Sequence, residues 1–216
     1  ADAHRVFFFS VGGLLTALLL LVIANLAPQR KIGIDEAPPL PALATLLPSG
    51  ADAGSARTLE IIDSADPEFV IAYRRAEWEL LLVSWDRRGG AWRSSVPTPL
   101  SSGDGEYGSE TALATLTIGA SDTLISARGN VNSPVDTISL FSRRLGGLEP
   151  VQVTEADGTP RPARFLSGGS VMRSASFDVA DGDGDGVTEA ITESIDRSAT
   201  PLFADVRVYA WRDGGL

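Results

Sequence analysis

Cysteine is absent from this chain of 216 residues, and histidine occurs once, at His4. The first absence excludes disulfides, thiolate metal sites, a cysteine nucleophile, a covalently attached c-type haem and a lipidated N-terminal cysteine. The second leaves the folded part of the chain without a histidine, so neither a Ser-His-Asp site nor a histidine-based zinc site can be assembled there. Positive charge is also scarce. Lys and Arg number 18 against 28 Asp and Glu, a formal net charge of -10 with a pI near 4.6. A nucleic-acid binder needs a basic stripe to displace counterions, and this balance argues against DNA or RNA as a partner. No glycine-rich phosphate loop of either familiar pattern occurs, nor does an N-x-[ST] acceptor, since Asn132-Ser133 is followed by Pro134.

Glycine and proline are plentiful, at 22 and 13 residues, beside many Thr, Ser and Val and few Lys. That composition suits short strands and frequent turns.

The longest apolar run is Val6 to Ala27, VFFFSVGGLLTALLLLVIANLA, which carries no charge and only three polar side chains, Ser10, Thr16 and Asn25. At about 1.5 Å per residue it would be roughly 33 Å long as a helix, against a hydrocarbon layer of ~30 Å. The expectation is one transmembrane helix within residues 1–27, with the lipid bilayer as a partner. A cleaved signal peptide fits less well: its apolar region is usually ~7–15 residues long, and Asn25 stands where a cleavage site wants a small residue. His4 and Arg5 precede the span, while Arg30 and Lys31 follow it. These charges mildly oppose a cytoplasmic N-terminus and do not settle orientation.

Residues 28–57 form a linker rich in Pro, Ala and Leu, with Pro28, Pro38, Pro39, Pro41 and Pro48 favouring an extended, semi-rigid tether. Leu40, Leu43, Leu46 and Leu47 are more apolar than a solvated linker needs. Two readings remain open: the stretch lies on a neighbouring protein or the membrane surface, or a short helix over Pro41 to Leu47 packs on its own domain.

Residues 58–216 alternate apolar and polar positions in short runs broken by turn residues, the pattern of β-strands. Three stretches can be superposed: Thr58 to Pro97, Ala112 to Val153 and Ser174 to Leu216. Each reads strand, tight loop, strand, connection, strand and a Gly-Gly turn. An aromatic, Trp85, Phe141 or Trp211, precedes the turns at Gly89-Gly90, Gly146-Gly147 and Gly214-Gly215. It is expected to anchor each sheet's core. A unit of ~40–45 residues has the size of a propeller blade. The expected fold is therefore mainly β, about three four-stranded antiparallel propeller-like repeats behind a transmembrane helix, with a β-sandwich as the alternative.

The sharpest motif is the acidic loop Asp181-Gly-Asp183-Gly-Asp185-Gly186-Val187-Thr188-Glu189. Calcium takes six to eight oxygens, largely from carboxylates and carbonyls. Acids at alternate loop positions point inward together, Gly186 permits the sharp turn, Val187 can offer its carbonyl and Glu189 closes the shell. Three crowded carboxylates repel one another unless a cation lies between them. An EF-hand would carry Glu at the twelfth position, which here is Thr192, and the flanks SASFDV and TEAITES alternate like strands. The loop reads as a calcium site between two strands, against the alternative of a metal-free acidic turn. The run FDVADGDGDGVTEAITES followed by VRVYAWRDGGL resembles the FG-GAP or VCBS type of calcium-binding repeat of integrin-like propellers, over Phe177 to Leu216. The resemblance implies Asp181, Asp183, Asp185 and Glu189 as side-chain ligands and Val187 through its carbonyl. In the first repeat the corresponding loop is shortened around Asp63 and Asp66, and in the second it is reduced to Asp122, so one structural calcium is expected.

Other charged groups carry weaker signals. Asp104, Glu106 and Glu110 could suggest a carboxylate pair for hydrolysis, but they sit in the Gly/Ser run SSGDGEYGSE and read better as solvated loop acids. Arg74-Arg75, Arg87-Arg88 and Arg143-Arg144 could meet lipid head groups or an acidic partner, and more often such pairs guard strand edges. With no redox or catalytic equipment in the chain, the expectation is a non-catalytic, single-pass accessory subunit of a larger membrane complex, such as a respiratory or photosynthetic electron-transfer assembly. Its partners would be other integral membrane subunits. The calcium loop argues for placing the β domain on the extracytoplasmic side, where free calcium is abundant. The alternative from another class is an extracytoplasmic calcium-dependent adhesion or ligand-binding module.

Overall fold

A computed structural model describes residues 37–62, 66–100, 111–120, 122–129, 135–144, 146–199 and 201–216. The apolar run Val6 to Ala27 and the loop acids Asp104, Glu106 and Glu110 lie outside the described residues. Among the described residues no helix is long and apolar enough to cross a membrane.

The described chain is mainly antiparallel β. Residues Leu40–Leu216 form a compact unit of their own. A short helix, α1 (Leu43–Leu46), is followed by β1 (Asp52–Ile61), β2 (Glu68–Arg74), β3 (Trp78–Asp86), β4 (Ala91–Ser94) and β5 (Thr98–Pro99). These five strands make one sheet in the order β1-β2-β3-β4, with β5 also on β3. A second sheet contains β6 (Thr111–Ile118), β7 (Asp122–Gly129), β8 (Val135–Arg144), β9 (Gly147–Pro150), β12 (Arg164–Gly169), β13 (Arg173–Ala180), β14 (Glu189–Asp196) and β15 (Phe203–Tyr209). Between β9 and β12 lies a separate hairpin, β10 (Gln152–Thr154) with β11 (Pro160–Pro162).

The three stretches superposed in the sequence each fold as a three-stranded antiparallel meander: β1-β2-β3, β6-β7-β8 and β13-β14-β15. The first two share a further feature. The outer edge of β3 takes β4 at one end and β5 at the other, and the outer edge of β8 takes β9 and β12 in the same way. Here the structure corrects the expectation of separate four-stranded blades. Strand β12 pairs with β8 on one side and β13 on the other, so the second and third repeats merge into one eight-stranded sheet. Among the described residues no sheet closes into a barrel.

Period-two alternation explains the packing. In the first sheet, Val70, Ala72, Leu80 and Leu82 face one way and meet Ile125, Ala127 and Phe141 of β7 and β8. The intervening Ile71, Tyr73, Leu81 and Val83 face the other way and meet Leu40, Leu43, Leu46 and Leu47. That contact assigns the linker leucines to their own domain. The ordered domain therefore starts before Thr58: the leucines cover it from Leu40, and β1 begins at Asp52. Behind β7 and β8, Leu124, Ile138 and Leu140 join Val151, Val153, Phe165, Ala190 and Leu216 in a third cluster. The core strands are thus covered on both faces, which is why LLLV reads as a continuous apolar run and why ISLF buries even its Ser139.

One glycine in each Gly-Gly turn takes the left-handed region, at φ 59° for Gly90, 101° for Gly146 and 82° for Gly214. Of the three aromatics before these turns, Phe141 is buried in the core. Trp85 packs edge-on against Trp92, with ring centroids 5.5 Å apart.

Candidate metal site

The acidic loop joins β13 to β14, whose register runs without a break up to Ala180 opposite Glu189. The hairpin thereby sets Glu189 at the mouth of the loop, while Gly184 and Gly186 bend the intervening chain at φ 80° and 87°, values that a side chain would oppose. Asp181 organises the turn. Its Oδ1 accepts the backbone N–H groups of Gly184 (2.6 Å) and Asp185 (3.1 Å), and its Oδ2 accepts that of Gly186 (2.9 Å). Oδ1 of Asp183 accepts from Asp185 N–H at 3.1 Å.

Carboxylate oxygens of Asp181, Asp183 and Glu189 all lie within 4.8 Å of one another. Oxygens bound to one calcium at ~2.3–2.6 Å can be no more than about 5 Å apart, so the cluster fits that ion's first shell. Asp181 and Asp183 are exposed, whereas Glu189 is only 8% exposed. Gly182 N–H donates to Glu189 Oε2 at 2.9 Å, and among the described residues no basic side chain pairs with this carboxylate. A buried carboxylate without a cation carries a desolvation cost, and Glu189 is the buried member of a group that could hold a metal ion.

One of the four expected carboxylate ligands stands apart from the cluster. Asp185 turns Oδ1 to the N–H of Val187 at 2.7 Å and lies outside the group of three converging carboxylates. Val187 contributes that N–H donor to the loop. The shortened loops of the other repeats carry different contacts: Asp66 is in an ion pair with Arg87, and Asp122 accepts a hydrogen bond from the Trp211 indole N–H.

The clamp that seats the loop carries no motif. Thr188 and Gly119 exchange backbone hydrogen bonds at 2.9 and 3.1 Å, and the Thr188 hydroxyl donates to the same Gly119 carbonyl at 2.9 Å. Gly119 is buried with φ 62°, and a Cβ there would come within 2.6 Å of the Trp211 ring. The end of β6 is thus tied to the acidic loop and capped by the indole. A lone glycine in TIGAS was the one available signal, and it reads as an ordinary turn residue.

At least one member of each arginine pair is engaged within the domain. Arg75 meets Glu79 at 2.7 Å, Arg143 meets Glu68 at 2.8 Å and Arg144 meets Glu149 at 3.7 Å. Tyr73, fully buried, donates its hydroxyl to Glu79 at 2.5 Å; burial first, and then this carboxylate, raises its phenol above the ordinary range. No family model, curated protein or solved structure matches this chain.

Proposed function

We propose that the chain is a non-catalytic accessory subunit, held at a membrane by the helix expected over Val6 to Ala27, whose β domain is stabilised by one calcium ion on the extracytoplasmic side. The carrying observation is the convergence of Asp181 and Asp183 on buried Glu189, which has no basic partner among the described residues. Asp181, Asp183 and Glu189 would hold the ion, and its charge would offset their mutual repulsion. Because Thr188 already bonds to Gly119, fixing this loop also fixes the β13–β14 hairpin against the end of β6. The role is structural: the ion would tie one part of the sheet to another.

The absence of cysteine and of histidine beyond His4 supports a non-catalytic role. The apolar N-terminal run supports attachment to a complex of integral membrane subunits, and a respiratory or photosynthetic electron-transfer assembly is one setting of that kind. Gentle detergent extraction, a native gel and mass spectrometry test this reading. Co-migration with a fixed set of integral membrane proteins is expected. A free protein that instead binds surface glycan in a calcium-dependent way would overturn it in favour of an adhesion module. Deleting Val6 to Ala27 is expected to release the domain from that complex.

A further inference from the structure

The eight-stranded sheet ends on β15, which pairs with β14 along one edge; no described strand pairs along the other. Natural proteins usually protect such an edge with proline, a bulge or a run of charge. Between Phe203 and Tyr209 there is no proline or glycine, and the pairing with β14 is regular over all seven positions. The strand is also unusually apolar for its exposure. Phe203 is 56% exposed, Val206 60% and Val208 59%, and Leu202 just before it is 63% exposed. On one face Ala204 and Val208 stand opposite Ile195 and Ile191 of β14, and Val206 stands opposite Glu193.

The order of residues along β15 says what fits this edge. A two-fold axis perpendicular to an antiparallel sheet must set one residue opposite itself, because opposed side chains share a face. A centre at Asp205 or Arg207 would oppose like charges. A centre at Ala204 would set Asp205 against Phe203, and a centre at Val208 would set Arg207 against Tyr209. A centre at Val206 does neither: each Asp205 meets the Arg207 of the other copy, Ala204 meets Val208 and Phe203 meets Tyr209. Opposite charges and aromatic pairs directly across strands are the favourable combinations. Within one chain Arg207 lies 2.8 Å from Asp205 and 3.4 Å from Glu155. In the pair it would stand between its own Asp205 and the other copy's, so that four charges alternate along one face.

We infer that the free edge of β15 is a homodimerisation edge, on which a second copy of this chain adds antiparallel with Val206 opposite Val206. The chain's lack of cysteine makes the test direct, since Val206→Cys is then its sole thiol. Opposed Cα atoms in such a pair lie about 4.5–5.5 Å apart, within reach of a disulfide. Full-length Val206→Cys, in mild detergent and under oxidation, is expected to give a covalent dimer, while Val96→Cys, at a still more exposed position far along the chain, stays monomeric. Adding Asp205→Arg to Val206→Cys sets like charges opposite each other twice and should lower the dimer yield about ten-fold. Adding Arg207→Asp as well restores the opposition and should restore the yield. Circular dichroism melts of each variant report that the fold is retained. Cross-linking of Val206→Cys no greater than that of Val96→Cys, failure of the double charge reversal to rescue, or a disulfide-trapping result with a different protein only would each overturn the inference. None of these readouts depends on calcium or on the membrane complex.

Discussion

Strands β2, β3, β7 and β8 contrast with strands β13, β14 and β15, although both groups are regular antiparallel meanders. Each of the first four carries a run of four or five consecutive buried residues, whereas β13 and β15 contain none and β14 buries only Glu189 and Ala190. The difference is one of layers. The core strands are sandwiched, with leucines of the linker on one side and the β10–β11 hairpin on the other. The outer meander lies over the core on one face and presents Val206 and Val208 on the other. Burial holds the core together. The outer meander relies on hydrogen bonds, on the stack of Phe165 on Phe177 with centroids 4.8 Å apart, and on the proposed ion in its first loop.

The largest effect expected from this contrast comes from truncating an apolar side chain in each of the two regions. Phe141→Ala empties a fully packed site between two sheets and should cost about 3–5 kcal/mol in a urea titration. Val208→Ala, on the exposed face, should fall within about 0.5 kcal/mol of the parent. Similar losses at the two sites would mean that the outer meander is covered in solution. Next comes the ion. If calcium binds the folded loop and not the unfolded chain, raising it to about 100 times its dissociation constant adds ~2.7 kcal/mol. A melt with calcium and with a chelator should therefore differ for the parent, and Glu189→Gln should abolish that difference. Equal melting temperatures for the parent under both conditions would remove calcium from the account. Gly119→Ala follows, at about 2 kcal/mol, because the new Cβ meets Trp211 on a backbone that already disfavours side chains. A crystal structure or hydrogen-exchange profile of this variant should show the disturbance spreading to the acidic loop, through Thr188, rather than into β7 and β8.

What the sequence reveals divides along the same line. The nine strands of the three repeats are legible because each alternates or runs apolar over a short span, and the glycine turns mark their ends. Strand β12 is not legible: RFLSGG is polar and glycine-rich, and its place is decided by the free half-edge of β8, more than twenty residues earlier. Such long-range pairing leaves no local pattern. The linker leucines were ambiguous for a related reason, since an apolar face shows that something covers it and not what. At the loop, alternate aspartates mark the site, yet spacing alone does not say where each carboxylate points. Asp181, Asp183 and Glu189 come together and Asp185 does not, although all four accept loop N–H groups.

Tyr73 supplies the smallest effect and a pH test of the buried side of the comparison. Its phenol, ordinarily near 10.0, is held higher by burial and by the Glu79 carboxylate that accepts its hydrogen bond. A raised value means that the folded state keeps its proton where the unfolded chain has lost it. The contribution is complete below pH 10 and declines as pH rises above that, at up to about 1.4 kcal/mol per pH unit. Tyr73→Phe removes one hydrogen bond and should cost about 1 kcal/mol at pH 7. It also removes the titrating group, so the stability of the variant should fall less steeply between pH 10 and 11 than that of the parent. If Tyr73→Phe leaves the alkaline slope unchanged, the first sheet is less tightly sealed by the linker leucines than their packing indicates.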